Sequence, residues 1–86
     1  MKKSIIKDLG WIQSGNQRIT IIKALERAMT PTEVKNKTGI KFSNTSDNLR
    51  LMTKRGILMV LNPKDKKGRL YELTRKGKEL QKILAE

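Results

Sequence analysis

The side chains best placed to do chemistry in this 86-residue chain lie between positions 43 and 54, and that chemistry is recognition rather than bond-making. At about 100° per residue, Thr45, Leu49 and Met52 fall within a narrow arc of a helix. Ser43, Asp47, Arg50 and Lys54 lie on the opposite side. One face can pack, and the other offers hydrogen-bonding and cationic groups to something outside. The chain holds 20 basic residues against 8 acidic ones, a net charge of +12, so the expected partner is a polyanion. A second basic cluster, Lys64, Lys66, Lys67 and Arg69, surrounds a single Asp65 in the turn-rich stretch from Asn62 to Gly68.

Catalysis has no comparable set of residues. His and Cys are both absent, and the carboxylates fall mostly at helix-surface spacings. No nucleophile–base pair and no metal site can be assembled from them. The expectation is a non-enzyme with no cofactor and no metal. Without cysteine there are no disulfides, which fits an intracellular protein. The apolar start Ser4-Ile5-Ile6 stops at Lys7-Asp8, too soon for a signal-peptide core, and no run approaches a membrane span. A cytoplasmic protein that does not engage membranes is expected.

The elements that must position these groups follow from periodicity and caps. A helix is expected over residues 4–13, striped by Ile5, Ile6, Leu9 and Ile12, with Trp11 off the stripe. Ser14-Gly15-Asn16 is a break, and Asn16 suits the N-cap of a helix running to Met29 on Ile19, Ile22, Leu25 and Met29. Thr30-Pro31-Thr32-Glu33 is a strong start signal: a capping threonine, a first-position proline and a glutamate that closes a capping box. Gly39 suits a left-handed C-cap. A third helix spans about 43–55, with Ser43 and Asn44 available to cap it, and stops at Gly56. Strands are expected over 57–61 and 69–73, paired as a hairpin. Thr74 caps a last helix carrying Leu80, Ile83 and Leu84, in whose first turns Gly77 costs about 1 kcal/mol relative to Ala.

This order defines a mainly α fold with a two-stranded β-hairpin: helix, helix, helix, strand, wing, strand, helix, preceded by an N-terminal helix. It is the order of a winged helix-turn-helix. Eighty-six residues suffice for one domain. Residues 1–15 form an N-terminal helical extension, 16–74 the winged-helix core and 75–86 the C-terminal helix. A helix fits the major groove of B-DNA and reads base edges with its first turns. The preceding helix, starting near Thr32, can meet a phosphate with its N-terminal amides. A cationic hairpin loop can lie along the backbone or enter the minor groove.

Gly39-Ile40-Lys41-Phe42-Ser43-Asn44-Thr45-Ser46-Asp47-Asn48-Leu49, followed by Leu51-Met52 and Lys54-Arg55-Gly56-Ile57-Leu58, resembles the recognition segment of prokaryotic winged-helix regulators. The likeness extends over the arsenical-repressor-like and multiple-antibiotic-repressor-like groups. The hairpin from Leu61-Asn62-Pro63 to Lys76-Gly77 is similar to a variant common in archaeal members. The resemblance covers roughly residues 16–80 and implies a transcriptional regulator that contacts double-stranded DNA. It implies groove-facing roles for Ser43, Asn44, Ser46, Asp47 and Arg50, and wing roles for Lys66, Lys67 and Arg69. It also implies phosphate contact at Asn16, Gln17 and Arg18. Asp47 stands where such families frequently carry a basic or polar residue. It could accept from cytosine N4, but near phosphate it is repulsive unless Arg50 or Lys54 pairs with it. Phe42 takes a position that is often small or aliphatic.

A homodimer is expected, because one winged helix reads a half-site, and Ile5, Leu9, Ile12, Leu80, Ile83 and Leu84 are the natural dimer surface. The competing function is a protein-interaction module of a transcription or chromatin assembly, whose basic hairpin meets an acidic partner. RNA is less favoured, since aromatic residues total 3% and offer few stacking platforms.

Overall fold

The computed structural model describes residues 2–86 and contains five helices and one hairpin. They are α1 (Lys3–Gln13), α2 (Asn16–Ala24), α3 (Pro31–Thr38), α4 (Phe42–Lys54), β1 (Leu58–Val60), β2 (Tyr71–Leu73) and α5 (Arg75–Ala85). The strands are antiparallel, with Leu58 opposite Leu73, Met59 opposite Glu72 and Val60 opposite Tyr71. The expected order is present.

One hydrophobic core runs through every helix and both strands. Ile5 and Ile12 of α1, Ile21 and Ile22 of α2, Val34 of α3, Leu49 and Met52 of α4 and Leu80 of α5 all join it. Each such side chain contributes roughly 1.5–3 kcal/mol through burial. Three of the six residues expected at a dimer surface, Ile5, Ile12 and Leu80, are therefore packed inside their own chain, at most 2% exposed. This corrects the expectation for them. An apolar stripe on a terminal helix fits a neighbouring helix of the same domain as well as it fits a partner. Leu9, Ile83 and Leu84 remain partly exposed at the edge of the core.

The second helix ends five residues earlier than its apolar spacing suggests. Leu25 already leaves helical geometry, and Met29 pairs with Tyr71 by two hydrogen bonds of 2.9 Å, N–H to O in each direction. Met29 thus adds a single antiparallel bridge to β2, outside the β1–β2 ladder. The carbonyls freed at the end of α2 find distant donors. Lys37 Nζ donates to Ala24 O at 2.7 Å, and Gln81 Nε2 to Ile22 O and Leu25 O at 2.8 and 3.0 Å. Those donors lie 13 to 59 residues away, out of reach of local pattern.

Caps divide the helices into two kinds. Thr30 accepts from Glu33 N at 3.2 Å and Glu33 Oε1 accepts from Thr30 N at 3.0 Å, the expected capping box. The Thr30 amide and the Arg27 guanidinium at 3.0 Å hold the Glu33 carboxyl below its ordinary pKa. Gly39 closes α3 at φ 76°, in the left-handed region. Thr74 caps α5 through Gly77 N at 3.1 Å. By contrast, the N-caps of α2 and α4 are Gly15 and Lys41, and neither gives a side-chain cap. Asn16, Ser43 and Asn44 lie inside the first turns instead of capping them, which corrects that expectation.

Gly77 reverses its propensity argument. A Cβ there would run into the backbone carbonyl oxygen of Ile57, which also accepts from Thr74 N at 3.0 Å. The glycine lets α5 start directly against the strand that follows α4. We predict that Gly77→Ala lowers stability by about 1–3 kcal/mol through overpacking, where helix propensity alone would raise it by about 1 kcal/mol. Urea denaturation of the two proteins distinguishes the signs.

Candidate nucleic-acid interface

Helix α4 is fixed by its inner side. Thr45, Leu49 and Met52 are fully buried, and Thr45 Oγ1 donates to Ile40 O at 3.2 Å. Ser43, Asn44, Asp47, Arg50 and Lys54 are consequently exposed, as their angular positions require, and Ser46 is half-buried at the flank. Asp47 and Arg50 pair at 2.6 Å. Both are more than half exposed, so the pair adds little stability, about 0.2–1 kcal/mol. Its consequence is electrostatic: the one carboxylate on this face is neutralised by its neighbour.

The C-terminal end of α4 is tied down by charge. Asp8, 5% exposed in α1, accepts from Arg55 Nε at 3.1 Å and from Lys76 Nζ at 2.7 Å. Lys76 Nζ also donates to Arg55 O at 2.6 Å, placing a cation at the negative end of the α4 dipole. Trp11 joins this tether, with the guanidiniums of Arg55 and Arg18 stacked 4.4 and 4.2 Å from its ring centroid. One buried carboxylate thus links α1, α4 and α5. Pattern alone does not reveal it, because Asp8 reads as an ordinary surface residue between Lys7 and Leu9.

Arg18 has partners within its own chain. The resemblance implies phosphate contact; in the fold its guanidinium stacks on Trp11 and donates from Nη1 to Trp11 O at 2.7 Å and Ser14 Oγ at 2.8 Å. It braces the α1–α2 turn. Gln17 and Asn16 are exposed at the uncapped start of α2. Asn48, which the resemblance does not assign, reaches between helices: its Nδ2 donates to Asn44 O at 2.9 Å and lies 3.4 Å from Gln17 Oε1. Gly15, Asn16, Gln17, Arg18 and Asn48 line one shallow recess beside α4.

A larger groove of about 430 Å³ lies on the other flank. Phe42 and Ser46 of α4, Thr30, Pro31 and Thr32 at the start of α3, Tyr71, and Lys66, Lys67, Gly68 and Arg69 of the wing form its walls. Among the described residues, no acidic side chain lines it. Ser46 of α4 thus shares one cleft with Lys66, Lys67 and Arg69 of the wing, twenty or more residues further along the sequence. At the α3 end Pro31 has no N–H and the capping box takes that of Glu33, so Thr32 carries the amide left for a ligand. Lys64 sits at the exposed wing tip outside the groove walls.

The wing loop is built around Asn62. Its Oδ1 accepts from Leu70 N at 2.7 Å, and its Nδ2 donates to Asp65 Oδ2 at 3.0 Å and Gly68 O at 3.1 Å. Asp65 is thereby turned into the loop, while Arg69 Nε donates to Asp65 O at 2.9 Å. Gly68 takes φ 66°, a conformation that side chains disfavour. Among the described residues, Lys64, Lys66 and Lys67 form no ion pair within the chain. Held in place but electrically unpaired, they can neutralise an external anion.

No protein-family model matches the chain, and no curated protein matches it. Solved structures do, at the level of fold. The transcriptional repressor BigR from Xylella fastidiosa superposes with a TM-score of 0.77 at 20% identity, covering 93% of this chain and 79% of that one. A homodimeric winged helix-turn-helix DNA-binding domain from Mycobacterium bovis, a possible ArsR-family regulator, gives 0.70 at 16% identity, over 94% and 72%. A point mutant of MarR from E. coli, complexed with operator DNA, gives 0.72 at 20% identity, over 95% and 61%. The fold is a winged helix of the MarR- and ArsR-like type. Its structural neighbours are transcriptional regulators. No helix among the described residues is long and apolar enough to cross a membrane.

The brace at Asn62 generates a test. We predict that Asn62→Ala leaves thermal stability within about 1 kcal/mol, since the hydrogen bonds it removes are exposed or half-buried. Amide exchange across residues 63–69 should accelerate, because the side chain makes three of the bonds that hold the loop. Unchanged exchange there would mean that other interactions shape the wing.

Proposed function

We propose that this chain is a transcriptional regulator that binds double-stranded DNA, with α4 in the major groove and the wing on the adjoining backbone or in the minor groove. The observation that carries this reading is the acid-free cleft in which Ser46 of α4 meets Lys66, Lys67 and Arg69, beside an outward α4 face of exposed polar groups. A regular polyanion wider than a peptide can touch both at once. Ser43, Asn44, Ser46 and Arg50 supply hydrogen bonds to base edges. Lys54, Lys64, Lys66, Lys67 and Arg69 supply charge. Gln17 and Thr32 sit at helix starts on either side, where backbone amides favour phosphate. Asp47 acts chiefly by restraining Arg50.

The functional unit in this reading is a homodimer, since each winged helix covers one half-site. The partly exposed Leu9, Ile83 and Leu84 and the half-exposed Ile6 form its contact surface. The similarity in fold to a homodimeric winged helix-turn-helix DNA-binding domain supports this, and the similarity to MarR solved with operator DNA supports the duplex as partner. The protein works in the cytoplasm, as expected of a DNA-binding regulator in a prokaryotic cell.

Salt dependence tests the electrostatic half of the reading. With roughly five phosphates neutralised, log K against log salt has an expected slope near about −4.5. Lys66→Ala with Lys67→Ala should weaken every sequence alike and flatten the slope by about 0.9 for each phosphate left unneutralised. Asn44→Ala should instead change preference at one base position by about 1–3 kcal/mol. A salt-insensitive association with an acidic protein, and none with duplex, would support the interaction-module reading.

A further inference from the structure

Phe42 is the residue that neither the charge pattern nor the polar face of α4 explains. It is 48% exposed at the first position of α4 and sits in the groove wall among Ser46, Thr32 and the wing cations. An apolar ring left open in a cationic cleft gains by covering an apolar part of whatever enters. The other aromatics are committed elsewhere. Trp11 is covered by two guanidiniums, and Tyr71 is 7% exposed. A single free ring makes no platform for successive unpaired bases.

Within a duplex the base faces are stacked and closed to the protein. The apolar group that the major groove does present is the C5 methyl of thymine, which aromatic and aliphatic side chains cover. The first turn of a recognition helix is the part that enters the groove. We propose that Phe42 is a specificity-determining residue that contacts thymine C5 methyls at the entry of α4, so that the chain prefers thymine-bearing duplexes. This rests on the duplex-DNA reading above and gives it a chemical preference. Leu51, 44% exposed, lies more than two turns further along and is not among the groove walls.

The test compares alternating poly(dA-dT) with alternating poly(dA-dU), duplexes that differ only in the methyl group, using the full-length protein. Burying one methyl predicts about fourfold tighter binding to the thymine polymer for each methyl covered. Phe42→Ala should bind both polymers equally, near the wild-type affinity for the deoxyuridine polymer. Phe42→Leu, which keeps an apolar group and the fold, should retain part of the discrimination. Equal binding of both polymers by the wild-type protein overturns the proposal while leaving the duplex reading intact. So does discrimination that persists in Phe42→Ala, which would assign it to Leu51 or to duplex shape. Tighter binding to single-stranded poly(dT), abolished in Phe42→Ala, would make the ring a stacking surface and also overturn it. Failure to bind either duplex at low salt would instead remove the DNA reading itself.

Discussion

Burial of one side of α4 is the constraint on which the rest of the structure depends. Thr45, Leu49 and Met52 admit no solvent, so the helix has one rotational setting against the core. Rolling it by a quarter turn would expose leucine and methionine and bury Arg50 or Asp47, costing several kcal/mol in transfer energy and desolvated charge. The outward residues are thus placed by what lies opposite them. Asn44, Asp47, Arg50 and Lys54 need no partner of their own to face solvent.

Rotation alone leaves the helix free to tilt or slide, and two further devices limit that. At its C-terminal end, the nearly buried Asp8 gathers the partly exposed Arg55 and Lys76 into a cluster that joins three helices. A buried charge pair is weak evidence of net stability, but it is geometrically demanding, since both carboxylate oxygens are used. At the same end, the hairpin is pinned just after α4 through Ile57, whose carbonyl meets Thr74 and crowds Gly77. The wing therefore has a set position relative to α4. The groove between them is a consequence of the fold rather than of any direct bond across it.

Local signals in the sequence are sufficient where the controlling interaction is short in range. The Thr30–Glu33 box, the left-handed Gly39, the Thr74 cap and the two faces of α4 are all legible, because each depends on residues within one or two turns. Elements governed by distant partners are not. Apolar spacing carries the second helix on to Met29, yet Tyr71, more than forty residues away, takes Met29 into the sheet. Ile5, Ile12 and Leu80 have the spacing of a contact stripe, and spacing does not say whether that stripe packs within the chain or between chains. Arg18 has the charge to meet a phosphate, and its packing on Trp11, seven residues back, is not visible in that charge. Asp47 shows the intermediate case: its pairing with Arg50 follows from an i, i+3 spacing visible in the bare sequence.

In the proposed reading, the outward face of α4 and the basic wing act on one duplex, and Ser46 of α4 already lines a groove with Lys66, Lys67 and Arg69. Backbone amide shifts of the labelled protein, followed while duplex DNA is added, examine that surface most directly. Perturbations should concentrate in residues 42–54, 64–69 and the first turn of α3, with α5 and the buried half of α4 largely unmoved. Shifts centred on α1 and α5, with the wing lysines silent, would contradict a shared DNA-binding surface.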